Sequence, residues 1–179
     1  MERKTPLYER HVAAGGKIVP FAGYLLPVQY PSGIIAEHMA VRTAAGLFDI
    51  SHMGEILLCG KDALSNLQHL LTNDFTDMPD GRVRYTLMCY EDGGVVDDLV
   101  VCRIDEAHYL LVVNAANREK DAEWIRSHLS GEVDFEDASD RFVQIALQGP
   151  KAPEILRKLA TDDSIPKKYY TFIEKGEVG

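Results

Sequence analysis

The 179-residue chain lacks any long apolar run. No stretch approaches the roughly 20 residues needed to span a bilayer. Its start, "MERKTPLYER", has no apolar segment of signal-peptide type, so no membrane association and a cytoplasmic protein are the expectation. Cysteine is scarce. Cys59, Cys89 and Cys102 are odd in number, far apart and set inside apolar runs, which argues against a disulfide framework or a zinc site and for reduced, buried thiols. Net charge is −9, and the 19 Lys and Arg residues form no long basic run, so no nucleic-acid partner is expected. There is no fixed-period repeat and no low-complexity segment, which excludes solenoids and linkers. The glycine-rich "HVAAGGKIVPFAGYLLPVQY" lacks the G-x-G-x-x-G of dinucleotide sites. It also lacks the hydroxyl ending of a P-loop, since Ile18 follows Lys17. That stretch reads as turn glycines, with Phe21, Tyr24 and Tyr30 as core aromatics. His38 and His52 have no close His, Cys or acid at ligand spacing, so no metal is expected.

What is present is ordinary globular material, 46% hydrophobic and 26% charged. Helical spacing or capping predicts helices over about 34–45, through "KDALSNLQHLLTND", through "NREKDAEWIRSHLSG" before Gly131, and through "KAPEILRKLA" after Pro150. Strands are predicted at "GEILLC", "RYTLMCY", "GVVDDLVVCRI", "HYLLVVN" and "RFVQIALQG". The middle three are joined by "EDGG" and "DEA", too short for parallel crossovers, so they form an antiparallel meander. The fold class is therefore α+β, with antiparallel sheets and segregated helices.

The stretch "GGVVDDLVV" sets Asp97 and Asp98 inside an apolar strand. Side chains alternate along a strand, so one carboxylate points to each face, and both faces are otherwise apolar. With 91–94 as the first loop, Tyr90 pairs with Val95, and Tyr85 lies opposite Val100 and diagonal to Asp98. With 105–107 as the second, Asn114 stands opposite Asp98; a two-residue loop turns Asn114 away, because a one-residue slip exchanges the faces. A half-buried Asp98 is a candidate for proton transfer or ligand anchoring, with the plain alternative that it satisfies backbone amides. Asp97 is expected to face solvent or cap a local turn.

The cluster Asp49, Ser51 and His52 in "FDISHMGEI" imitates a hydrolytic trio, but neighbours on an extended segment point apart. The plainer expectation is that Ser51 and His52 hydrogen-bond nearby backbone while Met53 packs on a pocket wall. In "RFVQIALQGPKAPEIL", Gly149 and Pro150 read as a strand-to-helix junction.

Taken together, "TPLYERHVAAGGKIVPFAGYLLPVQY", "AGLFDISHMGEI", "GGVVDDLVV", "YLLVVNAAN" and "IALQGPKA" resemble, in order and at similar separations, the glycine cleavage system T-protein family, the aminomethyltransferases. The resemblance runs from about Thr5 to Ala152. It implies a folate-binding N-terminal region with ferredoxin-like elements. The expected division is a first α+β domain from 1–50 plus 138–179 and a second from 51–137 holding the meander. The family's R-T-G-Y-T-G-E motif and C-terminal barrel domain do not occur, so the chain resembles an N-terminal fragment, with a folate pocket open on one side and little activity of its own.

The implied reaction takes the aminomethyl group from the lipoyl arm of H-protein, releases ammonia and passes the one-carbon unit to tetrahydrofolate as co-substrate, giving methylenetetrahydrofolate. By matching to the family motif, Asp98 is the catalytic acid, and Met53, Tyr85, Asp98, Val112, Asn114 and Tyr170 form the folate pocket. A flat pterin suits an apolar or aromatic wall with a few fixed polar partners. The alternative implied by shared architecture is a non-catalytic folate-binding relative that assists iron–sulfur protein maturation. Folate-linked demethylating dehydrogenases contain a similar module, but there is no trace of their extra flavin domain.

Overall fold

The structure is a computed structural model and describes residues 2–179. The strands are β1 (Arg3–Lys4), β2 (Ile18–Phe21), β3 (Tyr24–Pro27), β4 (Gly46–Asp49), β5 (Gly54–Cys59), β6 (Val83–Cys89), β7 (Val95–Arg103), β8 (His108–Val113), β9 (Asp134–Asp137) and β10 (Ile145–Gln148). The α-helices are α1 (Tyr8–Ala13), α2 (Ile34–Thr43), α3 (Ala63–Leu70), α4 (Arg118–His128) and α5 (Ala152–Leu156). They fall into two compact units. One takes the chain up to His52 with Val143–Asp162 and Val178–Gly179; the other takes Met53–Phe142 with Asp163–Glu177.

In the first unit β2 and β3 pair antiparallel, with Phe21 opposite Tyr24. The two residues between them, Ala22 and Gly23, both have positive φ, at 48° and 81°. A two-residue turn with positive φ at both positions matches the right-handed twist of its flanking strands. The stretch read as turn glycines is thus a hairpin, and β1 adds to it in parallel through Arg3 opposite Tyr24. Alternation buries Tyr24 and Leu26 on one face of β3. Phe21, expected in the core, is 55% exposed at the turn. The helix expected over 34–45 stops at Thr43, because Gly46 opens β4, which pairs antiparallel with β10. Pro153 sits in the first turn of α5, where its missing N–H and fixed φ fit.

The second unit is a five-stranded antiparallel sheet in the order β6-β7-β8-β5-β9. The meander β6-β7-β8 is as expected from its short turns. One sheet face carries Ile56, Leu58, Met88, Leu99, Val101, Leu111 and Val113, packed with Leu67 and Leu70 of α3 and Ala122 and Ile125 of α4. The other carries half-buried or exposed side chains, apart from the buried Glu55. Residues 163–177 were expected in the first domain but group with this unit. The amide of Val83 donates to the carbonyl of Tyr170, and Phe172 to Gly81, so the segment lies along the β6 edge. Nothing periodic in its sequence signals that pairing. The three cysteines are free and half-buried, and burial pushes the Cys102 thiol up to about 11. Among the described residues no helix is long and apolar enough to cross a membrane.

Ile125 is fully buried between helix and sheet. Truncating a buried Ile removes transfer free energy and leaves a cavity, so Ile125→Ala is expected to destabilise this unit by about 2–5 kcal/mol, read as a lower urea midpoint with unchanged slope.

Candidate functional site

The register of β7 decides which side chains meet. Tyr85 pairs with Val100, and Val100 with Val112, so these three form a row across three strands on the open sheet face. Asp98, two residues before Val100, shares that face and sits opposite Leu87. The hairpin differs from expectation at its tip: Cys89, not Tyr90, pairs with Val95, and the register shifts between Met88 and Cys89. A bulge at Val96 absorbs the extra residue. Both Val96 and Asp97 therefore turn to the helix-covered side, and the register at Asp98 is the one a four-residue loop at 91–94 implied.

Asp98 is half-buried, and Tyr85 is 48% exposed beside it. A hydrogen bond to the Asp98 carboxylate raises the Tyr85 hydroxyl above its usual value, and the neighbouring Tyr170 and Asp97 add to the effect. Tyr170 stands at the β6 edge with φ 53° and its ring edge-on to Tyr169. Met53 immediately precedes β5, and continuing the β5–β8 register by one residue sets it level with Asn114. Val112 is half-buried in the same row as Tyr85. The sheet thus brings Tyr85, Asp98 and Val112 onto one face, with Met53, Asn114 and Tyr170 at its margins.

Two expectations are corrected. Asp97 neither faces solvent nor caps a turn: it is 7% exposed and lies against the start of α4. Both faces of "GGVVDDLVV" are apolar, so alternation separates the two aspartates without telling which face a helix covers. Second, Asn114 stands opposite Asp98 as the three-residue loop implied, but its side chain does not join Tyr85 at the Asp98 carboxylate. Its Nδ2 donates to Asp97 Oδ1 at 3.1 Å and to the backbone carbonyl of Asp98 at 3.0 Å.

Asp121 and Glu55 escaped the sequence reading. Asp121 is fully buried on α4, and burial, followed by the Asp97 carboxylate, pushes it up to about 7. Burial alone would raise Asp97 too, but hydrogen bonds with Asp121, Asn114, Asn117 and the Asp98 amide outweigh it and hold Asp97 low. The signal for Asp121 was its spacing, one helical turn before Ile125 on the apolar face. Glu55 pairs with Val112, is 3% exposed, and has no hydrogen-bond partner for either carboxylate oxygen among the described residues. Burial pushes it up to about 7, with Arg118 opposing and Asp137 assisting. A charged residue within "GEILLC" was its only mark.

The Asp49, Ser51 and His52 cluster is not a triad. Asp49 accepts from His11 Nε2 at 2.8 Å and from Thr5 Oγ1 at 2.6 Å, while Ser51 Oγ bonds the Gln144 backbone. Burial works to raise Asp49, but the His11, Thr5 and Ser51 hydrogen bonds prevail and hold it low. His52 does not hydrogen-bond backbone through Nδ1, which has no hydrogen-bond partner among the described residues; its ring meets Phe21 and Tyr24 edge-on. His11, Asp49 and His52 border a mainly apolar cleft of about 730 Å³ lined by Phe21, Leu26, Tyr30, Val41 and Phe48. None of the folate-pocket candidates lines it.

The profile of the GCVT N-terminal domain family matches residues 7–179. An aminomethyltransferase of Geobacillus sp. (strain WCH70) is 51% identical over 172 residues, 96% of this chain and 47% of that protein. One of Desulfitobacterium hafniense (strain Y51) is 52% identical over 177 residues, 98% of this chain and 48% of that protein. The crystal structure of the glycine cleavage system aminomethyltransferase T from Bartonella henselae superposes with TM-score 0.85 at 36% identity, covering 88% of this chain and 44% of that one. The chain spans about half the length of the curated relatives it matches.

An acid whose pKa is raised on folding binds its proton more tightly when folded, so its stability contribution falls as pH rises from the unfolded value through the folded one. For Glu55 that window runs from 4.5 to about 7. Thermal melts of Glu55→Gln are therefore expected to show a higher midpoint than the parent at pH values above the window, and a difference that shrinks towards its lower end.

Proposed function

This chain belongs to the GCVT N-terminal domain family, and from that premise we propose that it supplies the folate-binding and proton-handling part of a glycine cleavage system aminomethyltransferase. The observation that carries the reading is the placement of Asp98: a half-buried carboxylate on the open sheet face, held by Tyr85 and flanked by the apolar side chains of Val100 and Val112. The protein's co-substrate is tetrahydrofolate and its partner the aminomethylated lipoyl arm of H-protein; its location is the cytoplasm, and neither nucleic acid nor membrane takes part.

The chemistry is redox-neutral, because the transferred carbon enters and leaves at the formaldehyde level. A folate nitrogen attacks the methylene carbon, a C–N bond forms, and the bond to the leaving amine breaks. Closure by the second folate nitrogen breaks the C–S bond. The two N–H protons end on ammonia and on the lipoyl thiol. Asp98 is suited to accept the first proton as the C–N bond forms and to return it to the leaving group, which needs a carboxylate within hydrogen-bond reach of the nitrogen. Tyr85 donates to that carboxylate and fixes its direction. Val112, Val100 and Met53 offer the apolar wall that a flat heteroaromatic ring requires. Tyr170 and Asn114 lie at margins of the same face; Tyr170 would set a ring edge, while Asn114, its amide engaged by Asp97 and the Asp98 carbonyl, holds the strand beside it.

General acid–base catalysis is worth about 10²–10⁴-fold in rate, so Asp98→Asn in the protein that carries this chain is expected to lower methylene transfer at least about 10²-fold with little change in melting temperature. Undiminished turnover in that variant would contradict the role of Asp98. Folate binding with no ammonia released from aminomethylated H-protein would replace transfer by binding alone.

A further inference from the structure

Behind the strand that carries Asp98 lies a second carboxylate arrangement that proton transfer does not use. Asp97 leaves β7 on the helix side and meets Asp121, which sits in the first turn of α4. Asp97 Oδ2 and both carboxylate oxygens of Asp121 are buried, and beyond the contact between the two acids themselves they have no hydrogen-bond partner among the described residues. Two carboxylates cannot both remain ionised at close range in a dry place; one proton held between them satisfies both oxygens.

The surroundings favour a single negative charge. Lys120 Nζ lies 3.4 Å from Asp121 Oδ1 and also donates to the carbonyl of Val96 at the bulge. Arg118, at the same helix end, is engaged with Asp137 and Asp140. From β8 and the turn after it come only the neutral amides of Asn114 and Asn117. From β6, Met88 stands opposite Asp97, and Asp98 leaves the far face of β7. One cation thus faces two acids.

We propose that Asp97 and Asp121 share one proton and act as a positioning pair for Asp98. Asp121 is the protonated partner and donates to Asp97 Oδ2. Asp97, so fixed, accepts from Asn114 through Oδ1, and the same Asn114 amide clamps the carbonyl of Asp98. The chain of contacts runs from α4 through β7 and β8 to the backbone of the residue whose carboxylate faces the folate side. The pair lies near the bulge, where the β6–β7 ladder is interrupted, so side-chain bonds replace ladder bonds in holding that stretch of β7. Loss of the proton would set two negative charges together, push Asp97 off Asn114 and free the Asp98 carbonyl. Burial and the neighbouring charge that push Asp121 up to about 7 place this loss near neutrality. The consequence for catalysis rests on the transferase reading above; the shared proton does not.

The test is a carboxyl-carbon NMR titration of this chain, with the Asn114 side-chain amide followed in parallel. One carboxyl of the pair is expected to titrate near neutrality, and the Asn114 amide resonances to shift with the same midpoint. In Asp121→Asn the midpoint should vanish and the Asn114 resonances remain at their low-pH position, because the introduced amide donates permanently. In Asp121→Ala they should depart from that position at every pH. Ordinary acidic titration of both carboxyls, or Asn114 resonances indifferent to the pair, would overturn the proposal, and the parent titration decides this even if Asp121→Ala does not fold. In methylene transfer by the protein that carries this chain, Asp121→Ala is expected to lose about tenfold or more, since small misplacements of a catalytic group reach 10²-fold, while Asp121→Asn retains its rate and loses the change near neutrality. Absence of transfer in the parent as well would count against the transferase reading and leave the pair to the titration.

Discussion

Adjacent side chains on a strand leave on opposite faces, and the second unit is organised around that constraint at Asp97 and Asp98. One face of the sheet is covered by α3 and α4, the other is open, so neighbouring residues of one chemical type enter different media. The carboxylate on the open face remains available to a ligand. The one on the covered face must find donors, and it finds Asn114, Asn117, a backbone amide and a second acid. Had the register slipped by a single residue, the two would have exchanged environments.

Buried charge is handled differently in the two units. Asp49 is surrounded by donors, with His11, Thr5 and the Ser51 amide converging on it, and the outcome is a carboxylate held low. Asp121 and Glu55 are short of donors and are pushed towards the neutral acid. Burial acts in the same direction on all three. The number and kind of hydrogen-bonding neighbours decides whether it prevails.

Helices α3 and α4 and the meander were legible because their signals are local: leucine spacing, a stopping glycine, and turns too short for crossovers. The hairpin of β2 and β3 was not, since its glycines carry turn chemistry while its strands are too short to show an alternation of their own. The edge segment around Tyr170 was hidden because its attachment is backbone to backbone, which no side-chain pattern reports. At the site, the pairing of Tyr85 with Val100 followed from the turn length alone, whereas Val112 was marked only by the family resemblance. The fate of Asp97 did not, because both faces of its strand are equally apolar and only the packing of α4 distinguishes them. Asp121 was readable in principle: an acid one turn from Ile125, on the stripe that faces the core, cannot be solvated.

The bulge at Val96 has a consequence for how the protein tolerates change. The hairpin closes on Cys89 and Val95, but the strands regain the register of a shorter, bulge-free loop before reaching Asp98. The tip and the site are therefore geared separately. Losing one residue at the tip can be absorbed by erasing the bulge, and the row on the open face keeps its alignment. A one-residue deletion around Asp92 and Gly93 is thus buffered by the strand itself, leaving the tip free to shorten while the row behind it stays in step.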